Sequence, residues 1–133
     1  MKLVTIIERI QQSCGLEAPE AARTVETLLE TLGERLQKTE REHLADQLPG
    51  ELKGHLFKRP ETVPFGLEEF YTRMAARTGL RYAAAVHRSR CVAVALQQSA
   101  SGGELDSLRN QLQPEYDELF GQPPQGPLSP SAV

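Results

Sequence analysis

The chain has 133 residues, a formal net charge of −3, and 39% hydrophobic and 25% charged residues. That length fits one domain able to bury a core without staples. The near balance of charge excludes a global electrostatic pull toward nucleic acid or membrane. The longest strongly apolar run, Cys91 to Leu96, is far shorter than the ~20 residues a membrane-spanning helix needs, so no membrane insertion is expected. Tryptophan is absent, which leaves the core to Leu, Ile, Val and Ala. With Cys14 and Cys91 as the two cysteines and no signal peptide, the chain reads as cytoplasmic with reduced thiols. A Cys14–Cys91 disulfide is geometrically open to it but disfavoured in a reducing compartment.

Leu3, Ile6, Ile7 and Ile10 recur at helical spacing and predict an amphipathic first helix, ended by Gly15. A second helix starts near Pro19, whose missing N–H costs nothing in a first turn. Its stripe is Ala21, Ala22, Val25, Leu28, Leu29, Leu32 and Leu36, with Glu26, Glu30 and Glu34 expected on the wet side. Gly33, inside this helix, either weakens the last turn or permits a close crossing. Thr39-Glu40-Arg41-Glu42 reads as a capping box opening a third helix that buries Leu44 and Leu48. Pro49 then stops that helix and starts a short fourth one ending near Phe57. Residues 58–66, with Pro60, Pro64 and Gly66, read as a linker.

The plan then recurs at an offset of 64 residues, as Leu3/Leu67, Gly15/Gly79, Leu32/Leu96, Leu44/Leu108, Leu48/Leu112 and Glu51/Glu115 show. The expected fold is therefore all-α: a helical bundle of two tandem pseudo-repeats of about four helices each. Repeat 1 spans 2–57, repeat 2 spans 67–120, and the two share one domain over 1–120. From Gly121 to Val133 the composition turns to Pro, Gly, Ser and Gln, the signature of a disordered tail.

Leu32 to Leu36, Leu44 to Pro49 and above all Ser101 to Phe120 carry a pattern that resembles the bacterial domain-of-unknown-function family 2267. The resemblance covers about Leu3 to Phe120. It departs at Gln113, where the family usually has Pro, although Pro114 follows one place later. It implies a soluble helical domain and no established activity.

No catalytic, metal or cofactor signature emerges. His43 and His55 lack the i, i+4 spacing of a helical zinc site, and their counterparts in the second copy are Ser107 and Leu119. Neither cysteine has a histidine at fixed local spacing. Ser101-Gly102-Gly103 has no preceding strand and no following lysine, so it reads as a turn rather than a phosphate loop. Two features stand out. Phe70 to Gly103 contains no acid but carries Arg73, Arg77, Arg81, Arg88 and Arg90. Solvated or internally paired arginines are the ordinary explanation, and Glu69 stands in position to pair with Arg73. The helix from Tyr82 to Ala100 is apolar nearly all round, which makes it either central or covered by something else. Its inner stripe is Ala85, Val86, Ser89, Val92, Ala93 and Leu96, while Ala83, Ala84, Cys91, Val94 and Ala95 add apolar groups on other faces. The expected function is a non-enzymatic interaction or accessory module, stress-linked in one version. Its candidate partner surface is Arg73, Arg77, Arg81, Arg88, Cys91, Val94 and Ala95, and its partner is an unknown protein or a second copy. The alternative is a weak polyanion binder, with nucleic acid not favoured because stacking aromatics are scarce.

Overall fold

The computed structural model describes residues 2–100, 112 and 114–121. Among the described residues six α-helices follow one another: α1 (Leu3–Cys14), α2 (Ala18–Arg35), α3 (Lys38–Gln47), α4 (Gly50–Lys53), α5 (Leu67–Thr78) and α6 (Tyr82–Ser99). Two 3-10 turns, Gly54–Phe57 and Pro114–Asp117, are the other regular elements among the described residues. Among the described residues there is no strand, and the fold is all-helical. The expected turn at Ser101-Gly102-Gly103, the helix after it and the tail beyond Gly121 lie outside the described residues.

The expected boundaries hold where a glycine sets them. Gly15 and Gly79 both take left-handed backbone, at φ 69° and 74°, and close α1 and α5. Their N–H groups donate to the Gln11 and Ala75 carbonyls at 3.0 and 2.9 Å, satisfying carbonyls the helix ends would leave open. Helix α2 carries its proline in the first turn. The capping box does not form. Helix α3 begins two residues early, at Lys38, so Thr39 sits inside the first turn and Gln37 takes the cap position with no side-chain bond.

Helix α2 is the axis of the molecule, touched by α1, α5, α6 and the Gly54–Phe57 turn. Its expected wet side is the main correction to the helical pattern. Glu30 and Glu34 are buried, along with Thr24, Thr27 and Thr31. Each threonine satisfies itself by donating to the carbonyl four residues back, at 2.7 to 2.9 Å. The acids are buried because polar partners from distant segments reach them. His55 Nδ1 lies 2.8 Å from Glu30, and Arg73 and Arg77 close on Glu34 at 3.0 and 2.9 Å. Gly33 resolves toward the close crossing: a Cβ there would run into the backbone carbonyl of Leu56.

Residues 58–66 form a packed strap rather than a free linker. Val63 N–H donates to the Glu34 carbonyl at 2.8 Å, and Phe65 is buried. Arg41, at 4% exposure, pins the strap with bonds to the Arg59 and Glu61 carbonyls and to the Thr62 hydroxyl. The Phe65 carbonyl accepts from Arg35 Nε at 2.8 Å and from the Tyr116 hydroxyl at 3.0 Å, tying α2 to the Pro114–Asp117 turn.

The cysteines are the second correction. Cys14 and Cys91 are joined as a disulfide, with Cα atoms 5.9 Å apart across 77 residues of sequence. Helix α1 ends against the middle of α6, and that packing brings together two side chains that local pattern could not pair.

Candidate functional site

Helix α6 packs on α1, α2 and α5 through Ala85, Ser89, Val92, Ala93 and Leu96, as its inner stripe requires. Ala95 belongs to this inner set, being fully buried, and so leaves the candidate surface. The reason is geometric: contact on three sides widens the buried arc beyond a single stripe. On the remaining side a groove of about 440 Å³ runs along the helix. It is lined by Ala83, Val86, His87, Arg90, Cys91, Val94 and Gln98 of α6, with Ser13 on one edge and Gly121 at the other. Val86, expected inside, is half-buried and contributes to this wall. The groove spans from Ala83 to Gln98, about 22 Å at ~1.5 Å of rise per residue.

Four small or branched apolar residues form its floor, and the His87 imidazole and the Arg90 guanidinium stand on the same helix. Among the described residues no acid lines it. Gly121 closes one end with φ 90°, and a Cβ on it would sit 3.1 Å from a Val94 methyl. The disulfide meets the groove through Cys91, half-buried in the wall.

The arginines divide differently from the sequence expectation. Arg73 binds Glu69 through Nε at 2.9 Å and Glu34 at 3.0 Å, and its guanidinium stacks 4.3 Å from the centre of the Phe65 ring. Arg77 takes the other Glu34 oxygen and the Thr31 hydroxyl, both at 2.9 Å. Burial acts to raise the Glu34 carboxyl, but hydrogen bonds from Arg77 and then Arg73, with their charges, outweigh it and hold it below its ordinary 4.5. Burial also works against the charge on Arg73, and the bonds to Glu69 and Glu34 reverse that, raising it. Arg88 reaches Glu20 at 3.5 Å across α2. Arg81 is exposed at the start of α6. Arg73 and Arg77 are thus structural ties between α5 and α2, separated in role from Arg90 on the groove.

Residues 4–119 match the model of a family described as Uncharacterized conserved protein (DUF2267). The chain belongs to that family. No curated protein and no solved structure matches this DUF2267 chain.

Elsewhere in the DUF2267 domain, His43 is exposed and His55 is half-buried against Glu30. No group of three metal-binding side chains comes together among the described residues. No described helix is long and apolar enough to cross a membrane. Tyr71 donates its hydroxyl to Glu118 at 2.9 Å, and burial first, then that carboxylate, pushes the phenol upward. Sequence reasoning missed Val86, His87, Ser13 and Gln98 as groove residues. The apolar content of every face of α6 pointed to the groove, but only the position of α1 decided which face stayed open.

Proposed function

We propose that this chain is a helical protein-interaction module whose outer α6 groove receives an amphipathic helix of a partner protein. The observation that carries the reading is the open apolar wall of Ala83, Val86, Cys91 and Val94 on a helix otherwise committed to the core. A strip of small residues about four turns long suits a docked helix, whose anchors recur every three to four residues. Arg90 with the His87 imidazole, and no acid in the wall among the described residues, favours a partner helix carrying Glu or Asp on its flank.

The polyanion reading has less support. Arg73, Arg77 and Arg88 face Glu34, Glu69 and Glu20 at 2.9 to 3.5 Å, which leaves little free charge on that side for phosphates. The doubled architecture belongs to the same proposal. Helices α5 and α6 repeat α1 and α2 in length, 12 and 18 residues. Ile6 and Phe70 are both fully buried, and Leu48 and Leu112 are 4% and 6% exposed. In this reading the first copy spends its long helix as the axis of the molecule, and the second leaves the outer face of its own helix for binding.

The test is selection from a displayed library of helical peptides against the full chain. Selected peptides are expected to be amphipathic, to carry an acid, and to lose binding on Val94→Asp but not on Val4→Asp at an exposed site in α1. Peptides indifferent to Val94→Asp overturn the proposal, and so does a homodimer that the same substitution dissolves.

A further inference from the structure

We propose that the α6 groove is also a thiol–disulfide exchange site, at which a small anionic thiol attacks Cys91. Three observations converge. Cys14 and Cys91 are joined, linking the end of α1 to the middle of α6. Cys91 lines an open groove, whereas Cys14 is represented there only by its neighbour Ser13. Arg90 and His87, one residue and one helical turn before Cys91, line the same groove, and no acid does so among the described residues. The volume, about 440 Å³, lies within the range of small-molecule sites and accommodates a thiol of tripeptide size.

Thiolate is the attacking species in such exchange, and its rate depends on which sulfur can be reached. Of the two cysteines Cys91 is the one that lines the groove, which places the attack at its Sγ. The incoming thiolate forms a bond to Cys91 Sγ while the Cys14–Cys91 bond breaks. Cys14 leaves as a thiolate and takes a proton from solvent. A second thiolate then attacks the external sulfur of the mixed disulfide and releases Cys91, which is protonated in turn. Two external thiols are oxidised to one disulfide, and the protein disulfide is reduced by two electrons. Arg90 acts as a positioning residue: its guanidinium draws in the carboxylates that the incoming thiol carries away from its sulfur, with the His87 imidazole beside it. The groove-helix proposal and this one stand separately, since exchange requires an open groove and no peptide.

The experiment uses the full-length oxidised chain in native buffer, with reduced glutathione as probe and intact mass after acid quench and alkylation as readout. A glutathione adduct on Cys91 followed by the dithiol form is expected. With oxidised glutathione, the Cys14→Ser chain should be modified at Cys91 at least tenfold faster than the Cys91→Ser chain at Cys14. Arg90→Gln should slow glutathione several-fold but leave the neutral thiol 2-mercaptoethanol unchanged, a difference that mere loosening of the fold would not produce. The proposal is overturned by a disulfide that opens only in denaturant, or by equal slowing of both thiols.

Discussion

Gly33 of α2 lies directly beneath the backbone carbonyl of Leu56, close enough that a methyl group has no room. The contact sets the distance between α2 and the Gly54–Phe57 turn, and it lets His55 fall against Glu30 at 2.8 Å. Because the obstructing atom is backbone, no rotamer change relieves a larger residue. Gly33→Ala would gain ~1 kcal/mol of helix propensity and lose more to overpacking, which costs about 1–3 kcal/mol or above when backbone must move. A net loss of about 2 kcal/mol in urea denaturation is expected. Gly54→Ala is the control: nothing lies within 4 Å of its added Cβ, and its φ of −63° is helical. That variant should be neutral or gain ~0.5 kcal/mol. Equal behaviour of the two would remove the close-approach argument.

The Glu34 pair with Arg73 and Arg77 gives a pH prediction. The folded-state carboxyl lies below its ordinary 4.5, so the stabilisation is complete above that value and fades as pH falls through and beneath it. Glu34→Gln removes one charge between two guanidiniums and should cost about 2 kcal/mol at pH 7, in line with charge-assisted bonds in partly buried sites. Below pH 4.5 the difference between wild type and variant should shrink steadily. Denaturation curves at pH 7 and pH 3.5 measure it, and a gap independent of pH would contradict the assignment.

Arg41 supports a third expectation. Its guanidinium fork reaches two carbonyls and one hydroxyl of the 58–66 strap, while Nε donates to the Leu36 carbonyl at 3.1 Å. Lysine keeps the charge but not the fork. Arg41→Lys should cost about 1–3 kcal/mol, the range for buried donors and acceptors left unpaired. It should also speed native-state trypsin cleavage after Lys58, the Arg59–Pro60 bond being resistant to the protease. Unchanged cleavage would mean that Val63 and Phe65 hold the strap without Arg41.

What the sequence disclosed follows from the range of the forces involved. Gly15 and Gly79 mark helix ends by a backbone conformation that is local, so both ends were readable. The stripes of α1 and α5 were readable for the same reason, since Ile6, Ile10, Phe70 and Met74 recur at helical spacing and are buried. Glu30 and Glu34 were misplaced because their burial depends on His55, Arg73 and Arg77, which arrive from other segments. Periodicity carries no record of such partners. The strap was taken for a linker because Pro60, Pro64 and Gly66 signal irregular backbone, and irregular backbone can still pack. On α6 the excess of apolar side chains was legible, but the assignment of Ala95 outward and Val86 inward needed the position of α1.

The disulfide gives the last prediction. A bond closing 77 residues of chain restrains the unfolded ensemble, and the chain-entropy relation puts the effect at about 4 kcal/mol, with measured cases usually lower. Replacing both residues, Cys14→Ser with Cys91→Ser, should therefore lower stability by about 2–4 kcal/mol. The slope of the urea transition should rise as well, because an unrestrained chain exposes more surface on unfolding. The two readouts together separate this origin from simple loss of packing between α1 and α6. A packing defect would shift the midpoint at constant slope, whereas release of a cross-link moves both. Adding reductant to the wild-type chain should reproduce the variant's curve, and reductant should leave the variant itself unaltered. A wild-type transition indifferent to reductant would mean that the α1–α6 junction holds through its apolar contacts without the covalent bond.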